Sequence, residues 1–207
     1  PFINYFPRIE NFEKQIKEKR SHHIDRGLLV KTLEEQNQSL NLSVLSQQNI
    51  DLLKSETTFS VTTGHQLCLF AGPLYFMYKI ISTINLCEQL VLKYPSYDFV
   101  PIFWMATEDH DFKEVNHIHL FNNKIEWDVK QKGAVGQMRL DGLRSLILDL
   151  KSLLGDQKHA EKLISIFEDT YLNHANLADA TRYLLNEFFG DYGLVIIDGN
   201  DKDLKRQ

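Results

Sequence analysis

Thr57-Thr58-Phe59-Ser60-Val61-Thr62-Thr63, then Gly64, then Pro73 through Lys93, then Asp98 through Thr107: this run decides the fold. Its β-branched and aromatic opening predicts a strand, which Gly64 is expected to end. Pro73 stands at a favoured first-turn position of a helix over residues 73–93. That helix is apolar nearly all round, with Lys79, Ser82, Asn85 and Gln89 as its polar side. It is therefore expected to be largely buried, as a helix covering a parallel sheet is. Residues 98–107 follow as a continuous apolar strand through Phe99, Val100, Ile102, Phe103, Trp104 and Met105.

Upstream, three short amphipathic helices are predicted. One covers Ile9–Arg20, with Ile9, Phe12 and Ile16 at helical spacing. Asp25 caps a second, to about Gln38, and Ser43 a third, to about Lys54. Downstream, residues 117–129 read as a β-hairpin with Asn122-Asn123 as its two-residue turn. Ala134–Leu140 is expected to add a strand, with Gly133–Gly136 as a flexible point. Helices are predicted at Asp141–Leu154, Gln157–Leu172 and Asn176–Phe189, with Gly155 and Gly190 as C-terminal caps and Asn176 and Asp179 as a capping pair. Leu194–Ile197 is a last buried strand. The order predicts an α/β fold, a buried parallel sheet with an insertion. A strand starting so near Gln207 predicts a fragment of a longer protein.

Composition is that of a globular chain: 207 residues, 43% hydrophobic, 25% charged and 11% aromatic. This excludes collagen-like, mucin-like and strongly disordered classes. A net charge of −5 argues against an overall nucleic-acid footprint. No apolar run reaches the ~18 residues of a membrane helix, and Pro1–Arg8 lacks a signal-peptide apolar region. Cys68 and Cys87 are too few for a disulfide framework. They are expected to be reduced thiols in a cytoplasmic protein, Cys68 as packing and Cys87 as core.

Three loops are candidates for chemistry. The first is Thr62-Thr63-Gly64-His65-Gln66, with Gly72-Pro73 opening the helix. Ligands of open α/β sheets bind beyond the carboxyl ends of strands, and free amides at a helix start suit anions. His65 and Gln66 could donate to phosphate oxygens. A plain strand–helix turn is the competing reading, and no P-loop pattern is present. The second is Glu108-Asp109-His110-Asp111 with Glu114, Asn116, His117 and His119. It could ligate a metal, bind an amine or sugar hydroxyls, or supply a general base, or be a solvated acidic loop. No HExxH or CxxC spacing supports zinc, and no metal cluster is expected. The third, Asp198-Gly199-Asn200-Asp201, reads as a turn before it reads as a ribose or substrate contact.

Thr63-Gly64-His65-Gln66 with Gly72-Pro73-Leu74-Tyr75, followed by Pro101-Ile102-Phe103-Trp104, Glu108-Asp109-His110-Asp111-Phe112 and Glu114-Val115-Asn116-His117, resembles the bacillithiol-biosynthesis cysteine ligase family. Gly193–Asp198 resembles its next core strand. The resemblance implies a Rossmann-like sheet of the class I synthetase and nucleotidyltransferase type. It divides the chain into a helical segment (1–56), the first part of the core (57–116), a connective insertion (117–190) and a return to the core (191–207). It implies addition of cysteine to glucosaminyl-malate and a homodimer through a coiled coil beyond Gln207. Amide formation requires carboxyl activation, for which ATP or another nucleotide is the expected cosubstrate. Asp109, His110 and Asp111 then form the catalytic set. Thr63, Gly64, His65, Gln66, Gly72, Pro73, Glu108, Asn116 and His117 form the substrate- or nucleotide-binding set. Lys79, Lys113 and Arg139 are the local cations for the malate carboxylates. The alternatives are a class I aminoacyl-tRNA synthetase-like or nucleotidyltransferase enzyme, a metal-dependent hydrolase built on Glu108–His119, and a non-catalytic nucleotide- or sugar-binding module.

Overall fold

A computed structural model describes residues 3–206. Pro1 and Phe2, part of the Pro1–Arg8 reading, and Gln207 lie outside the described residues. In chain order the elements are α1 (Phe12–Lys19), α2 (Arg26–Asn37), α3 (Val44–Leu52), β1 (Thr58–His65), α4 (Leu74–Lys93), β2 (Asp98–Met105), α5 (Phe112–Val115), β3 (His117–Leu120), β4 (Asn123–Glu126), α6 (Leu143–Leu154), α7 (Ala160–Leu172), α8 (Leu177–Phe189) and β5 (Val195–Asp198). Asp25 caps α2 by accepting from the Leu28 amide, and Ser43 caps α3 by accepting from Ser46. Asn176 accepts from Asp179 at the start of α8. All three caps follow the local sequence signal, because a short polar side chain satisfies an amide the helix leaves free.

The strands β1, β2 and β5 form a parallel sheet in the order β1-β2-β5. The central strand is buried on both faces, and alternation decides which side chain meets which layer. Val100 and Ile102 pack with Val30, Leu33, Ile50 and Leu53 from α2, α3 and the turn after α3. Phe103 and Met105 point the other way, into a core shared with Phe76, Ile80 and Ile84 of α4 and Leu184 and Leu185 of α8. Burying side chains of this size contributes roughly 1.5–3 kcal/mol each, so the two layers hold the sheet between them. Arg26 fastens α2 to the amino edge, its guanidinium donating to the carbonyls of Leu53 (2.8 Å) and Thr58 (3.0 Å).

Several local expectations are corrected. Gly64 does not end β1. It pairs with Trp104 inside the ladder, and the strand continues through His65. Pro73 is the residue before α4, in an extended conformation, and not its first turn. Nor is α4 buried all round. Phe76, Ile80, Ile84, Cys87 and Leu90 face the sheet, while Leu74, Tyr75, Tyr78 and Leu92 are exposed, because one sheet can cover only one side of a helix.

The hairpin turn is Phe121-Asn122, one residue earlier than expected. Both residues have positive φ, the geometry that matches strand twist in a two-residue turn. Residues 134–140 form no strand. Val135–Gln137 is a tight helical turn, and only Arg139 bridges to Asn176. Helices α6 and α7 begin later than expected, after Gly142 and His159 in left-handed conformations. Gly190 stays helical, and Gly193 (φ +77°) takes the left-handed position before β5.

Candidate active site

A parallel sheet brings the ends of β1, β2 and β5 to one edge, so the three candidate loops are neighbours. The register sets His65 beside Met105 and Met105 beside Asp198. The Ala106 amide donates to the His65 carbonyl (3.3 Å), extending the ladder one residue further.

Gln66 joins the first two loops. Its side-chain amide donates to Asp109 Oδ2 at 2.8 Å and also to Glu114 Oε2. Both amide hydrogens are thereby committed to carboxylates in this geometry. On the other oxygen, Asp109 Oδ1 accepts from the amides of His110 (2.6 Å) and Asp111 (3.0 Å). The Asp111 amide first, and then the Gln66 side chain, hold the Asp109 carboxyl below its usual range. Asp109 is thus a fixed anion and a weak proton acceptor, which argues against the expected base role.

The rest of the acidic stretch separates by environment. Asp111 caps α5, accepting from the Glu114 amide at 3.3 Å. Glu108 and His110 are exposed. Asn116 is buried and turned to the hairpin: its Nδ2 donates to the Trp127 carbonyl (3.2 Å), and its Oδ1 lies 3.0 Å from His117 Nδ1. His117 and His119 stack edge to face at 5.3 Å on one side of β3. Asn116 and His117 therefore serve the hairpin in this geometry. Among the described residues no three His, Cys, Asp or Glu side chains converge on a common metal position.

On the β1 side, His65 is half-buried between Tyr75 (5.5 Å) and Phe76 (5.1 Å). Burial, with Lys79 adding to it, lowers its pKa, so the imidazole is neutral at pH 7. Its Nδ1 lies 3.1 Å from the Gln66 carbonyl, which suits the tautomer protonated there and leaves Nε2 as an acceptor. Lys79 donates to the Gly64 carbonyl, which puts a cation at this edge. Arg139 pairs instead with Asp141 (3.2 Å) beside α6. Cys68 packs 3.6 Å from His65 Nδ1, and burial pushes its thiol up to about 11, so it is no nucleophile. Thr63 lies in the ladder opposite Phe103. Gly72 and Pro73 form a cis peptide, and a Cβ on Gly72 would stand 3.0 Å from Ile118. Here glycine lets the hairpin close against the loop.

On the β5 side, the predicted turn forms, with the Asn200 amide donating to Asp198 Oδ1 (2.9 Å). The same oxygen accepts from the Thr107 hydroxyl, which ties the second loop to the third.

The chain matches the family model "Bacillithiol biosynthesis BshC, N-terminal Rossmann-like domain" over residues 1–207. It belongs to the BshC family. It is 56% identical over 206 residues to a protein of Flavobacterium johnsoniae named "Putative cysteine ligase BshC", covering 98% of this chain and 39% of that protein. A protein of the same name from Flavobacterium psychrophilum is 52% identical over 207 residues, covering 99% of this chain and 39% of the relative. One from Staphylococcus carnosus is 34% identical over 176 residues, covering 80% and 32%. The chain thus spans well under half the length of these relatives. The three-stranded parallel sheet, with helices on both faces, is the Rossmann-like domain of this family. No helix among the described residues is long and apolar enough to cross a membrane.

Four features that shape this edge carry no local signal for a role in the site. The Val135–Gln137 turn folds back onto the second loop: the Val135 amide donates to the Asp109 carbonyl (2.7 Å) and Gly136 to Thr107 (3.0 Å). The point expected to be flexible is therefore pinned. Gln36 of α2 holds the Asp198 backbone from both sides, donating to its carbonyl (3.0 Å) and accepting from its amide (2.8 Å). Arg182 of α8 is buried and reaches Gln36 Oε1 at 3.5 Å. Trp104 lies open on the same edge. Their sequence neighbours show helix or strand periodicity only, and the sheet brings them together.

Proposed function

We propose that this domain carries the reacting edge of a ligase that adds cysteine to glucosaminyl-malate, forming bacillithiol. The observation that carries this is the Gln66 clamp, which locks Asp109 and Glu114 side by side at the carboxyl end of the sheet. Two fixed carboxylates beside an open edge suit an ammonium group, and both cysteine and the amino sugar present an amine. In this reading the cysteine carboxyl is first activated, with ATP or another nucleotide as cosubstrate. The sugar amine then attacks that carbon, a C–N bond forms, the activating group leaves and the amine loses a proton.

Asp109 and Glu114 hold and orient the amine, and Gln66 keeps their separation fixed. The neutral His65, with Nε2 free, is suited to take up the amine's proton, which Asp109 is not. Lys79 supplies positive charge for a carboxylate or phosphate. His110 and Asp111 shape the loop that presents Asp109. The names of the relatives and the description of the family support the ligase assignment.

The test uses the full-length protein with cysteine, ATP and glucosaminyl-malate, followed by mass spectrometry. Bacillithiol is the expected product. No product and no consumption of nucleotide with both substrates present sinks the reading.

A further inference from the structure

Trp104 interrupts the buried run of β2: Phe103 and Met105 are fully enclosed, whereas Trp104 is 40% exposed. It stands at the carboxyl edge, where open α/β sheets receive ligands. Its two sides are kept clear by glycine. Gly64 pairs with it on β1, and a Cβ there would meet the Trp104 carbonyl at 3.1 Å and its Cβ at 3.3 Å. On the β5 side the constraint is stronger. A Cβ on Gly199 would lie 1.8 Å from Cζ2 and 2.4 Å from Cε2 and Cη2, so any other residue would displace the indole. Two glycines, one within β1 and one in the turn after β5, thus fix the ring in place and leave the rest of it open. The second tryptophan shows the contrast: Trp127 is 1% exposed, and its Nε1 donates to the Asp141 carbonyl at 2.8 Å.

A fixed, open indole at the carboxyl edge of the sheet offers a π face on which a flat ring can stack. We propose that Trp104 is the stacking platform for the base of a nucleoside phosphate, with Gly64 and Gly199 setting its position. This rests on the ligase reading, which calls for an activating nucleotide.

The test is calorimetric titration of the full-length protein with ATP and, separately, with tripolyphosphate, which has the charge but no base. Wild type is expected to bind ATP more tightly than tripolyphosphate. Trp104→Ala is expected to weaken ATP about tenfold, within the range of base–aromatic stacking, and to leave tripolyphosphate unchanged. Trp104→Phe keeps a flat ring and stays within about threefold of wild type. Gly199→Ala keeps the indole but displaces it, and is expected to follow Trp104→Ala; with Trp104→Phe it guards against a misfolded alanine variant. Equal ATP binding by wild type and Trp104→Ala overturns the proposal. So does a wild type that fails to prefer ATP over tripolyphosphate, or binds neither. The product assay separates the two readings. Bacillithiol formed without base-dependent binding sinks the platform alone, and base-dependent binding without product sinks the ligase assignment alone.

Discussion

The Gln66 side chain and Asp109 Oδ2, 43 positions apart, are joined at 2.8 Å, and the same amide reaches Glu114. Without that donor two carboxylates would face each other unbridged, and like charges at short range push apart. Gln66→Leu is therefore expected to lower ligation by up to about a hundredfold, since a displacement near 1 Å at a reacting centre has that effect. Stability should change little, because a hydrogen bond near the surface contributes only about 0.5–1.5 kcal/mol. Turnover and thermal midpoint measured on one preparation decide it. A parallel loss of both would make the clamp merely structural.

Asp109 and Asp111 are both acidic and two residues apart, yet their surroundings separate them. Asp109 accepts three hydrogen bonds as a held anion, whereas Asp111 caps α5. Asp109→Asn removes the charge offered to an amine and should raise KM for the amine substrate about tenfold or more, of the order expected for a charge-assisted contact. Asp111→Asn leaves a good capping residue in place and should lie within about twofold of wild type, because Asn and Asp cap nearly equally. Steady-state kinetics on the two variants would reveal any reversal of that order.

Burial holds the His65 pKa below its ordinary 6.5. The unfolded chain therefore binds this proton more readily than the folded one. The stability that His65 contributes is complete above pH 6.5 and is lost as pH falls through the lower folded value. His65→Gln cannot titrate, so its thermal midpoint should vary less between about pH 7.5 and pH 5 than that of wild type. Superimposable pH curves for the two proteins would contradict this.

Gly136 has no room for a side chain. A Cβ would stand 2.7 Å from Thr107 Cβ and 2.9 Å from its carbonyl oxygen, both on a buried residue that cannot withdraw. Gly136→Ala should cost about 1–3 kcal/mol as overpacking and reduce ligation as well, because Thr107 holds Asp198. Gly27 in α2 is the control: its nearest foreign atom is Asp25 Oδ1 at 3.4 Å, and Ala there should be neutral or stabilise by up to about 1 kcal/mol. Urea midpoints for the two variants are expected to move in opposite directions or, at the least, by clearly different amounts.

These residues also mark how far sequence reading reaches. Caps such as Asp25, Ser43 and Asn176 are legible because their partners lie three residues away. The strand–helix–strand core is legible from continuous apolar runs. The turn at Phe121-Asn122 falls one residue before its expected place because asparagine is the stronger turn signal, and a phenylalanine at φ +48° goes against propensity. The exposed side of α4 is unreadable, because an apolar helix does not say which of its faces finds a partner. All three candidate loops are visible in the sequence, but the Gln66 link between the first two is not. It depends on the β1–β2 register, which no local pattern encodes. Gln36 and Arg182 escape notice for the same reason, since each reaches the edge from a helix that looks like scaffold, whereas Gly136 reads locally as a flexible point although it is held against Thr107.

Arg182 poses the clearest energetic question. It is 6% exposed, its hydrogen bond to Gln36 is long at 3.5 Å, and among the described residues no carboxylate forms an ion pair with it. Burial lowers its pKa, opposed chiefly by the more distant Asp198. A buried cation without a close partner is costly, and exchanging such a charge for an apolar side chain of similar size is often neutral or stabilising by about 1–4 kcal/mol. Arg182→Met should therefore unfold at the same or a higher denaturant concentration than wild type. Arg182→Ala should lose stability through the cavity it leaves, by about 2 kcal/mol or more. If the methionine variant is instead as damaged as the alanine one, the long-range attraction to Asp198 outweighs the desolvation. Asp198→Asn should then reproduce the loss when made in the wild-type chain, and add nothing further when combined with Arg182→Met.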